Sequence, residues 1–336
     1  MVIEFAENKS ARAAFAARLV SSSRLLLAAH TNPDADAIAS LSALYYFLAK
    51  NGKSVDILCS SPFPLRYRQY CAVPVLTAIS TLDGYDSIIA LDTPNAARLG
   101  LPAPWTADLF VSQSAGRLCV LDHHIDNQNF GSINYVSEHS ATAETLYDLF
   151  TAELPQFSIS AECCNALLLG ILGDTGGLRH NNTKPQTLRN VAELIEAGAD
   201  FSGLIRMLFS EMPLGLLKLE GDVLNCRTTL HAGGRFACAT IPQALLDKYG
   251  LSKSDTDFLI DRIRQIAGTE IVAAIYETQD AFKASLRSKN PAISVRKIAN
   301  QLGGGGHELA AGCTIHAASI EEAAQQLTKL IERDCF

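Results

Sequence analysis

Arg24-Leu25-Leu26-Leu27-Ala28-Ala29-His30-Thr31-Asn32-Pro33-Asp34-Ala35-Asp36 sets a short apolar run directly before a polar turn bearing one histidine and two aspartates. The run Arg24–Ala29 reads as a buried strand. The stretch Ala35–Lys50 that follows repeats its apolar side chains at helical spacing. Three more runs have strand length: Ser54–Cys59, Asp86–Leu91 and Arg117–Leu121. Strands separated by helical stretches imply βαβ units and a mostly parallel sheet. In such sheets ligands bind beyond the carboxyl ends of the strands. The residues that follow each strand are therefore the ones that carry information about function.

From Ala141 onward the pattern becomes helical, with helices expected at Ala141–Phe150, Ala161–Leu172, Pro185–Ala197 and Phe201–Phe209. A polar turn, Gly173–His180, separates two of them. After a linker at 211–225 the character changes again. Cys226–His231 and Arg235–Ile241 flank Ala232-Gly233-Gly234, a hairpin pattern. Ile271–Tyr276 and Phe282–Leu286 read as a second strand pair, with helices at Ser254–Ile266, Val295–Ala299 and Ser319–Ile331. The expected fold class is α/β. An N-terminal domain, 1–210, holds a mostly parallel sheet flanked by helices, and a smaller C-terminal α/β domain spans 226–336.

Composition narrows the function classes. The chain has 336 residues, 48% hydrophobic and 19% charged, which excludes disorder as its main theme. The formal net charge of −7 argues against a broad basic surface for a nucleic-acid polymer. No run approaches the ~20 apolar residues that span a bilayer, so no membrane association is expected. The start, MVIEFAENKS, lacks the basic and apolar regions of a signal peptide. Nine scattered cysteines without a C-x-x-C pair read as reduced, buried thiols of a cytoplasmic protein.

Chemistry concentrates at the strand ends. His30, Asp34 and Asp36 share the first turn. Carboxylates with imidazole suit divalent cations such as manganese. The helix dipole also favours carboxylates at a helix start, so Asp34 or Asp36 reads equally well as a cap. Asp92 follows the third strand, Asp122-His123-His124 follow the fourth, and Asp174 lies between two later helices. A lone aspartate after a strand is a common turn former. Three strand ends that deliver Asp and His to one sheet edge form a constellation that chance rarely supplies.

This order resembles the DHH phosphoesterase superfamily: His-x-x-x-Asp-x-Asp, a lone Asp, Asp-His-His, and a further Asp. Gly303-Gly304-Gly305-Gly306-His307 is similar to the glycine-rich motif of the DHH-associated domain, and Ser285-Leu286-Arg287-Ser288 to its substrate-binding strand. Two departures stand out. Ala39 occupies a position that is usually glycine, and four glycines replace three before His307. The resemblance implies two divalent ions, usually manganese, with magnesium or iron as alternatives. His30, Asp34 and Asp92 would hold one ion. Asp36, Asp92, His123 and Asp174 would hold the other. His124 would contact the scissile phosphate or protonate the leaving oxygen, and Asp122 would orient a histidine. Arg287, Ser285, Gly304, Gly305, Gly306 and His307 would bind substrate across a cleft between the domains.

The implied activity is hydrolysis of short RNA oligonucleotides or 3′-phosphoadenosine 5′-phosphate by water activated on two metals. The expected partner is a short single-stranded oligonucleotide or small nucleotide, bound by a monomer or homodimer. A di-adenylate phosphodiesterase, cyclic or linear, is the first alternative. A single-strand-specific exonuclease is the second, although a chain this short has no room for the extra strand-binding modules. A pyrophosphatase would need a lysine-rich motif that is absent. A nucleotide sensor would be expected to lose ligands, yet all six metal positions carry suitable residues.

Overall fold

A computed structural model describes residues 6–60, 63–256, 258–278 and 280–336. The chain divides into two units, Met1–Glu211 and Met212–Phe336. The first five residues, where no signal segment is expected, lie outside the described part. No described helix is long and apolar enough to cross a membrane.

In the first unit, helix α1 (Ala6–Ser21) leads into strand β1 (Arg24–Ala28). There follow α2 (Ala35–Lys50), β2 (Ser54–Leu58), β3 (Ser87–Leu91), α3 (Ala107–Gln113), β4 (Leu118–Asp122) and β5 (Ile133–Val136). Helices α4 (Thr142–Glu153), α5 (Ala161–Asp174), α6 (Pro185–Glu196) and α7 (Phe201–Ile205) complete the unit. The strand order is β2-β1-β3-β4-β5, and every pair is parallel. The expected parallel sheet is thus present, with strand ends within a residue of the sequence reading.

Strands β1, β3 and β4 are mostly apolar because both their faces are covered. Leu25, Leu27, Ile89, Leu91, Cys119 and Leu121 join one core with residues of α1, α2, α4 and α5. Leu26, Ala28, Ile88, Ala90 and Val120 join the opposite one with Phe110 of α3. Each buried leucine contributes ~1.5–3 kcal/mol. Helices α2 and α5 approach closely. A Cβ on Gly170 would lie 2.5 Å from both the Ala143 Cβ and Asp36 Oδ1. A Cβ on Gly173 would lie 2.7 Å from the Ala35 Cβ. Ala39 is fully buried against this same contact. Glycines on α5 therefore permit the approach, and alanine at 39 fits.

The second unit begins with a correction. Residues 211–225, expected as a linker, are mostly helix α8 (Leu214–Cys226), because Leu219 and Val223 bury against the second sheet. Then come β6 (Thr228–His231), β7 (Phe236–Ile241), α9 (Gln243–Lys248), α10 (Leu259–Arg264), β8 (Ile271–Glu277) and β9 (Phe282–Ser288). Helix α11 (Val295–Gln301), β10 (Gly305–Gly306), β11 (Ala310–Ile315) and α12 (Ile320–Cys335) close the chain. Both expected hairpins form, β6–β7 and β8–β9. The helix expected at Ser254–Ile266 is shorter. Asp255 accepts the Ser252 N–H and closes a separate turn at Lys253–Asp255, and Asp257 lies outside the described residues. The helix expected at Phe201–Phe209 stops being regular at Arg206, where Glu211 N bonds back to Arg206 O.

The second sheet runs β10-β11-β9-β8-β7-β6, with only β7 and β8 parallel. One face packs on α11 and α12. Helices α8, α9 and α10 cover the other face over β7 and β8. Beyond them that face carries Lys283, Ser285 and Arg287 of β9 and Gly312 and Thr314 of β11, all at least partly exposed.

Candidate metal centre

The order β2-β1-β3-β4-β5 reverses direction between β1 and β3, the switch point at which open α/β sheets bind ligands. His30 follows β1 and Asp92 follows β3. His30 Nδ1 donates to its neighbour's carbonyl, Thr31 O, at 2.8 Å, which turns Nε2 toward the carboxylates. Nε2 lies 3.6 Å from Asp92 Oδ2 and 3.9 Å from Asp34 Oδ1. Asp92 is nearly fully buried and adopts φ +51°, a left-handed conformation that is costly for a residue with a Cβ. Its strained backbone turns the carboxylate away from the course of β3.

The two readings of Asp34, cap and ligand, describe the same geometry. Its Oδ1 accepts the N–H groups of Asp36 and Ala37 at 3.0 and 3.1 Å, which starts α2, and it also stands beside His30. Asp36 is buried, and its oxygens accept Thr142 N at 2.7 Å and Ala143 N at 3.0 Å. A carboxylate on α2 thus caps α4, whose own N-cap residue, Ala141, has no side chain to do so. Strand β4 ends at Asp122. His123 Nε2 lies 3.6 Å from Asp92 and 3.3 Å from Asp174, the last residue of α5. Three triads place their ligand atoms within 4.8 Å of one another: His30, Asp34, Asp92; Asp36, His123, Asp174; and Asp92, His123, His124.

Electrostatics explains what the cluster is for. Burial, together with the charges of Asp92, Asp174 and Asp34, pushes the Asp36 carboxyl well above its usual range. Burial and the charges of Asp34 and Asp92 push Asp174 up to about 7. Desolvation alone would lower His30, but the hydrogen bonds it donates to Asp34 and Asp92 outweigh it and raise the imidazole to about 10. Asp36, Asp174 and His30 are therefore biased toward protonated forms whose protons divalent cations would replace. The donors are oxygen and imidazole nitrogen without sulfur, a set that fits manganese, magnesium or ferrous iron.

His124 sits at the rim, with Nδ1 2.8 Å from Asp122 Oδ1. Burial would lower its pKa, yet the Asp122 hydrogen bond and charge prevail and raise it. Asp122 also accepts Asn127 Nδ2 at 2.6 Å. Asn127 and Thr142, whose hydroxyl donates to Asp92 Oδ1 at 2.9 Å, are missing from the sequence reading. Thr142 was concealed as an ordinary helix start. Asn127 stands five residues beyond Asp122 in a polar loop, where no spacing singles it out.

In the second unit, Arg287 and Ser285 share one face of β9, and Gly305 and Gly306 pair with β11 next to it. Not all the glycines serve the same end. A Cβ on Gly304 would lie 2.1 Å from Gly312 O, and one on Gly306 would lie 2.6 Å from Ala310 O. These two glycines are needed for close packing on β11. The N–H groups of Gly303 and Gly304 bond to Asn300 O and Ala299 O. His307 and Ala310 exchange hydrogen bonds, so by alternation the Gly306 N–H points off the sheet edge. Among the N–H groups of Gly303, Gly304, Gly306 and His307, that of Gly306 is thus the one left open.

Residues 24–171 match the DHH family, N-terminal domain, and residues 233–333 match the DHHA1 domain. A Thermus thermophilus protein named bifunctional oligoribonuclease and PAP phosphatase NrnA is 30% identical, over 92% of this chain and 90% of its own. The Bacillus subtilis protein of that name is 27% identical, over 91% and 93%. An exopolyphosphatase-related protein from Bacteroides fragilis superposes with a TM-score of 0.85 at 22% identity, over 97% of this chain and 96% of that one. The exonuclease RecJ bound to manganese gives 0.54 at 15% identity, over 99% and 96%. The order of motifs, the parallel sheet that assembles them and a relative aligned along nearly the whole chain agree: this protein belongs to the DHH family and carries a DHHA1 domain.

Proposed function

We propose that the chain is a metal-dependent phosphoesterase that hydrolyses short RNA oligonucleotides and removes the 3′-phosphate of 3′-phosphoadenosine 5′-phosphate. The observation that carries this reading is the convergence of Asp34, Asp36, Asp92 and Asp174 with His30 and His123 at one sheet edge. The names of the relatives from Thermus and Bacillus support the substrate class. His30, Asp34 and Asp92 would hold one cation, and Asp36, Asp92, His123 and Asp174 a second. Bound divalent cations lower the pKa of water and neutralise charge on phosphate oxygens. Manganese is the ion proposed, because it suits a site of carboxylate oxygens and imidazole nitrogens.

The protein's own groups do the rest. Asp92 lies 3.6 Å from His30 and 3.6 Å from His123, one histidine from each proposed ligand set. His124, whose pKa the Asp122 hydrogen bond and charge raise, is placed to give a proton to the leaving oxygen. Asn127 and the His123 N–H hold Asp122 in turn. Arg287 offers a forked donor to a phosphate, with Ser285, His307 and the Gly306 N–H as further donors. The test is a substrate panel with manganese: di- to pentanucleotide RNA, short DNA, 3′-phosphoadenosine 5′-phosphate, di-adenylates and pyrophosphate. Short RNA and the bisphosphate should turn over fastest. Preferential cleavage of long single-stranded DNA, or of di-adenylates, would replace the proposed substrate.

A further inference from the structure

Glu144 is an acid with no place in the chemistry above. It stands in the first turn of α4 and is 1% exposed. Among the described residues it has no cationic partner. Its carboxylate instead accepts four hydrogen bonds. Oε2 takes Ser140 N at 2.8 Å, Ser140 Oγ at 2.5 Å and Thr187 Oγ1 at 3.1 Å. Oε1 takes Asn190 Nδ2 at 2.9 Å. Burying a charge without a countercharge is expensive, and an apolar side chain would serve packing better. The cost calls for a role other than stability.

The Ser140–Thr142 turn supplies that role. Ser140 is gripped by Glu144. Two residues on, Thr142 gives its N–H to Asp36 and its hydroxyl to Asp92, and Ala143 gives its N–H to Asp36. One residue before, the His139 carbonyl lies 3.4 Å from His123 Nδ1. The turn therefore touches three of the proposed ligands, which come from α2, β3 and β4. Thr187 and Asn190 belong to α6, so Glu144 also ties that helix to the turn.

We propose that Glu144 is a positioning residue: it locks the Ser140–Thr142 turn and so holds Asp36, Asp92 and His123 at the spacing that binds divalent cations. The proposal rests on the reading of these residues as metal ligands. Supporting groups of this kind typically change metal affinity by ~10–100-fold. A glutamine at 144 keeps the shape but offers one acceptor oxygen and a donor amide in place of two acceptors.

The test is calorimetric titration of the metal-free chain with manganese alone, beside thermal unfolding of the same samples. Glu144→Gln should weaken manganese binding at least ~10-fold. Thr187→Val, which removes one donor to the same carboxylate, should weaken it less and serves if Glu144→Gln does not fold. Tyr147→Phe is the control on the same helix; it removes a bond to Glu193 and leaves the turn alone. It should lower the unfolding temperature without moving manganese affinity. Undiminished affinity in Glu144→Gln, or in Thr187→Val where that variant stands in, overturns the proposal while leaving the metal site intact. A wild-type chain that binds no manganese overturns both.

Discussion

Asp92 is the residue on which the site turns. It lies within reach of His30, His123 and His124, accepts the Thr142 hydroxyl, and holds a left-handed backbone to do so. Asp92→Ala should abolish manganese-dependent turnover while the chain stays folded, because the change removes a buried charge; full activity would refute the two-cation proposal. Asp122 acts one step removed. Asp122→Asn removes the carboxylate that raises the His124 pKa, so kcat should fall ~10–100-fold, with the loss steepest at high pH. A pH–rate profile with an unchanged basic limb would take His124 out of the proton-donor role. Asp174 titrates near 7 in the metal-free fold and near 3.8 when unfolded. The native state binds the extra proton between those values, so this group lowers metal-free stability as pH rises across that window. Manganese competes with the same proton. The increase in unfolding temperature that manganese gives should therefore grow as pH rises through about 7. An increment independent of pH would mean that Asp174 is not displaced.

At the scale of elements, the α2–α5 contact is the most constrained joint. Gly170→Ala forces a methyl against the Ala143 Cβ and Asp36 Oδ1, and should cost ~1–3 kcal/mol by thermal or denaturant unfolding. Because the pressure falls on Asp36, manganese affinity should drop as well. In the second unit the open part of the sheet face carries Arg287, the proposed hydrogen-bond donor to phosphate. Arg287→Ala should raise KM for short RNA by about tenfold or more and leave manganese affinity unchanged, a split that steady-state kinetics and calorimetry would show. Much of this architecture was legible. Strands with continuous apolar runs, β1, β3 and β4, stood out because both their faces are covered. Strand β5 did not, since Ile133–Val136 is four residues long and mostly half-buried. Helix α8 passed for a linker because only Leu219 and Val223 of its thirteen residues are fully buried. The proposed ligands were readable because chemistry restricts them to Asp and His. The groups that orient them, Thr142 and Asn127, belong to residue types found in any turn, and only distance reveals them.

The molecule as a whole carries −7, and the split is uneven: residues 1–210 hold 14 basic and 20 acidic side chains. Four of those acids crowd one sheet edge, so part of the first unit's acidity belongs to the proposed metal site. The ligands come from the ends of β1, β3 and β4, the start of α2 and the end of α5, and span His30 to Asp174, most of the first unit. No two successive elements suffice to make the site. Such distant pairings form late in folding, because loop closure must precede the contacts that reward it. During synthesis the cluster could not assemble until α5 had left the ribosome and docked against α2. Tight manganese binding would then report that the first unit has folded through α5, and a chain short of that point would lack the proposed cation site.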